Sequence, residues 1–87
     1  PMKCLIVGLG VFGRNLALQL AQLGAEVVAL DRKEDNISAI KDEVAAAAVI
    51  EFSDSSVLAR FPLPEMDAVI IAIGDDFEAS MAFTMRA

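Results

Sequence analysis

Apolar positions along the chain fall into four short continuous runs, at residues 3–7, 26–30, 47–50 and 68–73. Runs of this kind mark strands buried on both faces of a parallel sheet. Between them lie stretches with helical character. Residues 11–23 repeat Phe12, Leu16, Leu20 and Leu23 at helical spacing and stop at Gly24. A second helix enters through Arg32, Lys33 and Glu34 and ends near residue 43, with Ile37 and Ile40 on its inner face. Ser53-Asp54-Ser55 supplies an N-cap for a short helix at residues 55–60. Pro62 and Pro64 then break the chain. After the fourth run, Gly74 turns it, and Asp75-Asp76 starts a last helix from residue 77 to the end.

Strand and helix therefore alternate throughout. The pattern predicts an α/β fold: a Rossmann-like parallel sheet of strand order 3-2-1-4, with right-handed crossovers and helices on both faces. A complete doubly wound sheet continues past its fourth strand, so the sheet is expected to be truncated relative to the full fold. Residues 1–87 are expected to form a single Rossmann-type nucleotide-binding domain, a fragment of a longer one. That would leave residues 68–73 as an apolar edge strand. Met2 reads as a natural start and Pro1 as an addition.

The turn after the first run reads Gly8-Leu9-Gly10-Val11-Phe12-Gly13, and Asp31 ends the second run. A glycine loop between strand and helix, with an acid about 20 residues on, is the dinucleotide-binding fingerprint in its expected context. Gly8 allows the sharp turn out of the strand. Gly10 allows backbone to approach a pyrophosphate, and Gly13 allows the helix to pack tightly on the sheet. The first amides of the helix would face the phosphates. Asp31 is expected to accept hydrogen bonds from both ribose hydroxyls of an adenosine. Its charge disfavours NADP: at an effective dielectric near 20 and about 4 Å, repulsion of a 2′-phosphate is on the order of 4 kcal/mol before screening. Arg32 would offset part of that, or stand as a solvated charge. Arg14, in the first turn of the helix, opposes the helix dipole unless a phosphate is bound; a solvated charge is the other reading.

Strand ends in this fold converge on the ligand crevice. Phe52 and Ser53 are thereby placed near the adenine, and Ala72, Ile73 and Gly74 near the phosphates. Phe52 either covers the adenine ring or packs in the core. Ser53 serves first as a capping residue.

Composition narrows the partners. The net charge is −6, with no basic block, which argues against nucleic acid. Cys4 is the only cysteine, which excludes an intramolecular disulfide and fits a small buried hydrophobe in the first strand. The chain has no histidine, so His-based metal sites and general bases are ruled out. No apolar run reaches membrane-spanning length, and no signal peptide is evident; the cytoplasm fits. At 56% hydrophobic residues, so short a chain is expected to self-associate. No nucleophile–base pair suggests catalysis.

Three segments together carry a family resemblance: residues 4–13, CLIVGLGVFG; residues 26–31, EVVALD; and residues 67–74, DAVIIAIG, continuing into Phe77-Glu78-Ala79-Ser80. They resemble the N-terminal nucleotide-binding domain of the RCK/KTN family (TrkA N-terminal-like), the cytosolic regulatory subunits of bacterial Trk and Ktr potassium transporters. By position, Gly8, Gly10 and Gly13 match the family's phosphate loop and Asp31 its ribose acid. Ala72, Ile73 and Gly74 match the end of its fourth strand, near the ligand. The resemblance implies binding of NAD(H) or ATP/ADP without catalysis. It implies homo-oligomeric assembly and gating of a membrane potassium-transporter subunit. The domain would then be cytoplasmic, held at the inner face of the membrane through that partner. Two departures leave the choice of nucleotide open. Val11 stands where Ktr-type members often carry Arg, and Glu51-Phe52 stand where a polar pair is common. The alternative is the cofactor-binding half of an NAD-dependent dehydrogenase, or a scaffold whose site is vestigial.

Overall fold

The computed structural model describes residues 1–51, 65–72 and 80–82. Its elements are β1 (Lys3–Val7), α1 (Val11–Gln22), β2 (Glu26–Asp31), α2 (Glu34–Ile40), β3 (Ala46–Val49), β4 (Ala68–Ile71) and β5 (Ser80–Ala82). The sheet order is β3-β2-β1-β4-β5. The first four strands run parallel, in the expected 3-2-1-4 order. The fold is a Rossmann-like α/β sheet.

β1 is the central strand because it can be buried on both faces. Cys4, Leu5 and Ile6 are fully inaccessible and Val7 nearly so. Its alternate side chains feed two clusters. Ile6 joins Val27, Ala29 and Ile70 under α1 and α2, where Ala17, Ile37 and Ile40 complete the layer. Leu5 and Val7 join Leu30 and Met66 on the opposite face. Both described helices thus cover one face of the sheet. The helix expected at residues 55–60, which would serve the other face, lies outside the described residues.

Three expectations change. The inner face of α1 is Gly13 and Ala17, not a leucine stripe. Leu16 and Leu20 flank it, while Phe12 and Leu23 are exposed. The helix sits so close to the sheet that only small residues fit directly beneath its axis, and the larger ones move to the flanks. The second helix ends at Ile40, and residues 41–45 lead into β3 without helical structure. Ser80–Ala82, expected inside a final helix, forms a strand antiparallel to β4, pairing Ile71 with Ser80 and Val69 with Ala82. Pairing gives the open edge of β4 its hydrogen bonds, a demand that outweighs local preference in a run of small residues. β4 is accordingly not the edge of the sheet.

α1 closes with paired backbone bonds. Ala25 N–H donates to the Leu20 carbonyl (3.0 Å) and Gly24 N–H to that of Ala21 (3.1 Å), with Gly24 at φ 94°. This left-handed ending satisfies carbonyls that the helix itself leaves open and returns the chain to β2.

Candidate functional site

β1 lies between β2 and β4, so the chain leaves it at the point where connections diverge to either side. Ligand crevices in open α/β sheets form there, beyond the carboxyl ends of the strands. Gly8 makes the exit at φ 100°, a conformation open to glycine but strained for other residues. Its N–H donates to the Leu30 carbonyl (2.8 Å), and Ala72 N–H donates to that of Val7 (2.7 Å). The loop is thereby tied to the ends of both neighbouring strands.

The remaining glycines behave differently from one another. A Cβ on Gly13 would collide with the Gly8 carbonyl oxygen, so this glycine is what lets α1 rest against the turn. A Cβ on Gly10 would meet nothing within 4 Å among the described residues. Among these residues, space lies open over Gly10, at the start of α1. Gly10 is the N-cap, with no side-chain cap bond, and no acid stands in the first turn. The leading amides of this 12-residue helix thus have no capping side chain, the arrangement that suits an anion such as a phosphate.

Asp31 ends β2 with 5% of its surface accessible, and it is the buried charged residue of the described core. Its carboxylate ties segments together through three hydrogen bonds. Oδ1 accepts the buried Leu9 N–H at 3.2 Å. Oδ2 accepts the Lys33 N–H at 3.2 Å and the Asn36 side-chain Nδ2 at 2.7 Å. One carboxylate therefore joins the glycine loop, the β2–α2 turn and the first turn of α2.

Gly8, Leu9, Gly10, Gly13, Asp31 and Ala72 come together at this end of the sheet. Leu9 enters through its backbone, since its side chain is buried in the core. Val11 and Phe12 stand at the start of α1, but their side chains are exposed and line an outer hollow of about 410 Å³ with Asn15, Leu16 and Gln19. Arg14 is half-buried in the first turn, and Arg32 is exposed. Phe52, Ser53, Ile73 and Gly74 lie outside the described residues. Asn36 is the site residue that sequence reasoning missed. The usable signal was an Asn five positions after the strand-tip acid, within reach of it across the turn.

Cys4 takes no part in the site. Burial pushes its thiol above the usual range, and the Asp67 carboxylate adds to the effect. Among the described residues, no group of three or more His, Cys, Asp or Glu could hold a metal ion. No helix among them is long and apolar enough to cross a membrane.

Comparison with known proteins agrees with this geometry. The family model of the TrkA-N domain matches residues 4–87. The Ktr system potassium uptake protein C of Bacillus subtilis is 35% identical over 80 residues, covering 92% of this chain and 36% of that protein. The Ktr system potassium uptake protein A of Vibrio alginolyticus is 34% identical over 82 residues, covering 94% and 37%. The Trk system potassium uptake protein TrkA of Mycobacterium tuberculosis is 29% identical over 75 residues, covering 86% and 34%. The chain thus spans little more than a third of the length of these curated relatives. A match across nearly the whole chain, on a fold whose glycine loop and strand-tip acid meet at one crevice, establishes that the chain belongs to the TrkA-N domain family.

Proposed function

We propose that this chain is an adenosine-nucleotide-sensing regulatory domain of a bacterial potassium transport system. The observation that carries the reading is the joint placement of Gly10 and Asp31. Among the described residues, Gly10 sits under open space at an uncapped helix start, and Asp31 is bonded to the adjoining Leu9 amide. Phosphates fit the first feature and a ribose the second. Membership of a nucleotide-binding domain family supports the same assignment.

The ligand is NAD(H) or ATP/ADP, with NADP disfavoured by the Asp31 charge. Residues 8–14 cradle the phosphates, and Asp31 holds the sugar. Arg32, Phe52, Ser53, Ala72, Ile73 and Gly74 border the ligand. The domain acts without catalysis. It assembles as a homo-oligomer in the cytoplasm and gates a membrane potassium-transporter subunit; the relatives named as potassium uptake proteins support that partner. Two nucleotides that bind one conformation unequally would shift its population, and with it the gate.

The test is titration calorimetry of the purified protein with ATP, ADP, AMP, NAD, NADH and NADP. Saturable binding of adenosine nucleotides, weakest for NADP, is expected. On this reading the glycine loop and Asp31 take the adenosine and pyrophosphate half of a dinucleotide, so ADP should bind nearly as well as NAD. A large advantage of NADH over ADP contradicts the assignment of that half-site, and no saturable binding by any of the six overturns the nucleotide reading itself.

A further inference from the structure

The acceptor capacity of the Asp31 carboxylate can be counted. An ionised carboxylate offers about two acceptor positions on each oxygen. Oδ2 already takes the Lys33 N–H and the Asn36 amide, which fills both of its positions. Oδ1 takes the Leu9 N–H and, among the described residues, keeps one position open. A ribose offering its 2′ and 3′ hydroxyls to the two oxygens would find one seat, not two.

The three donors differ in how they can leave. Leu9 N–H is held by the glycine loop and Lys33 N–H by the turn before α2. Both are main-chain groups whose departure would disturb those segments. Asn36 is a half-buried side chain in the first turn of α2, its own N–H already bonded to the Lys33 carbonyl (3.1 Å). It could be removed by substitution without moving the backbone. Its 2.7 Å bond is also the shortest of the three.

We propose that Asn36 is a specificity-determining residue of the ribose subsite: its amide holds the Asp31 Oδ2 position that a second ribose hydroxyl would take, so Asp31 reads one sugar hydroxyl through Oδ1. This rests on the nucleotide reading above. It replaces the expected two-hydroxyl grip with a single contact and makes α2 a party to sugar recognition. Removing the amide restores the second seat.

The test compares ADP, 2′-deoxy-ADP and 3′-deoxy-ADP by calorimetry, on the wild-type protein and on Asn36→Ala. In the wild type, one deoxy analogue should bind about as well as ADP and the other about ten-fold or more weakly, the worth of one hydrogen bond to a charged acceptor. In Asn36→Ala both analogues should fall about ten-fold below ADP, and ADP itself should bind about three- to ten-fold more tightly. Asn36→Leu, which lacks the donor but fills similar space, should behave like Asn36→Ala and controls for lost packing. Equal penalties for both analogues in the wild type would overturn the proposal while leaving nucleotide binding intact. So would weaker ADP binding by both variants. Failure of the wild type to bind ADP at all removes the nucleotide reading and this inference with it. The wild-type comparison stands even where a variant does not fold.

Discussion

Replacing Asp31 with alanine removes one acceptor from three donors at once, and the structure allows the cost to be apportioned. The Leu9 amide is buried, so it loses its partner with no water to take over. An orphaned buried donor costs about 1–3 kcal/mol. The Lys33 and Asn36 bonds are only part-buried. Water replaces the carboxylate there, and each loss comes to about 0.5–1.5 kcal/mol. Against these stands relief from holding a charge at 5% exposure. The net destabilisation is about 2–3 kcal/mol, with the Leu9 amide the largest single contribution. Total stability for a domain of this size is about 4–13 kcal/mol, so Asp31→Ala should remain folded. Its melting temperature should fall by about 10–20 °C. Urea and thermal unfolding followed by circular dichroism, without nucleotide, measure the effect. Asp31→Asn keeps an acceptor for Leu9 but turns an NH2 toward other donors, and should also be destabilised. A loss below about 0.5 kcal/mol for Asp31→Ala would refute the account, because the loop would then not depend on this carboxylate.

Three further outcomes follow from the same geometry. Gly13→Ala must displace the Gly8 carbonyl and should cost about 1–3 kcal/mol in urea unfolding, whereas Gly10→Ala should leave stability within about 1 kcal/mol and weaken nucleotide binding in calorimetry. The reverse order would contradict the packing assigned to the two glycines. Cys4, buried with a raised thiol pKa, should resist maleimide in the native protein. Because the unfolded chain releases that proton first, stability should decline as pH rises through and above the ordinary thiol range, and Cys4→Ala should flatten the decline in urea midpoints taken between about pH 8 and about pH 10. Asp31→Ala should raise the NADP/NAD affinity ratio in calorimetry even as both bind less well; an unchanged ratio counts against a carboxylate near the 2′ position.

The strands were legible because burial on both faces leaves an unbroken apolar run, as at Leu5, Ile6 and Val7. The loop was legible because steric demands of the turn and the helix select glycine at Gly8 and Gly13. Periodicity failed on α1, where Phe12 and Leu23 share helical spacing with Leu16 and Leu20. Spacing defines a stripe but not how near the helix axis comes to the sheet, and that approach is set by Gly13 against Gly8. It failed again at Ser80–Ala82, where pairing with β4, a long-range demand, decides the conformation. Asn36 was missed for a related reason. A single side-chain bond across a turn has no period, and its partner is defined only once α2 is docked beside the end of β2.

Asp31 was legible as an acid at a strand tip, yet position alone did not disclose that its carboxylate also fastens the fold. That double employment affects how any loss of function must be read. Weaker nucleotide binding by Asp31→Ala has two sources: a missing ribose contact, and a glycine loop that has lost the bond to Leu9. Both lower affinity, and neither can be assigned from that variant alone. The deoxy analogues alter only the ligand, leaving Leu9, Lys33 and Asn36 in place. A penalty that appears with the analogue on an unaltered protein therefore belongs to the sugar contact. The remainder of the Asp31→Ala loss belongs to the loop. If the loop carries the larger share, the acid at this strand tip is retained as much for building the phosphate cradle as for reading the sugar.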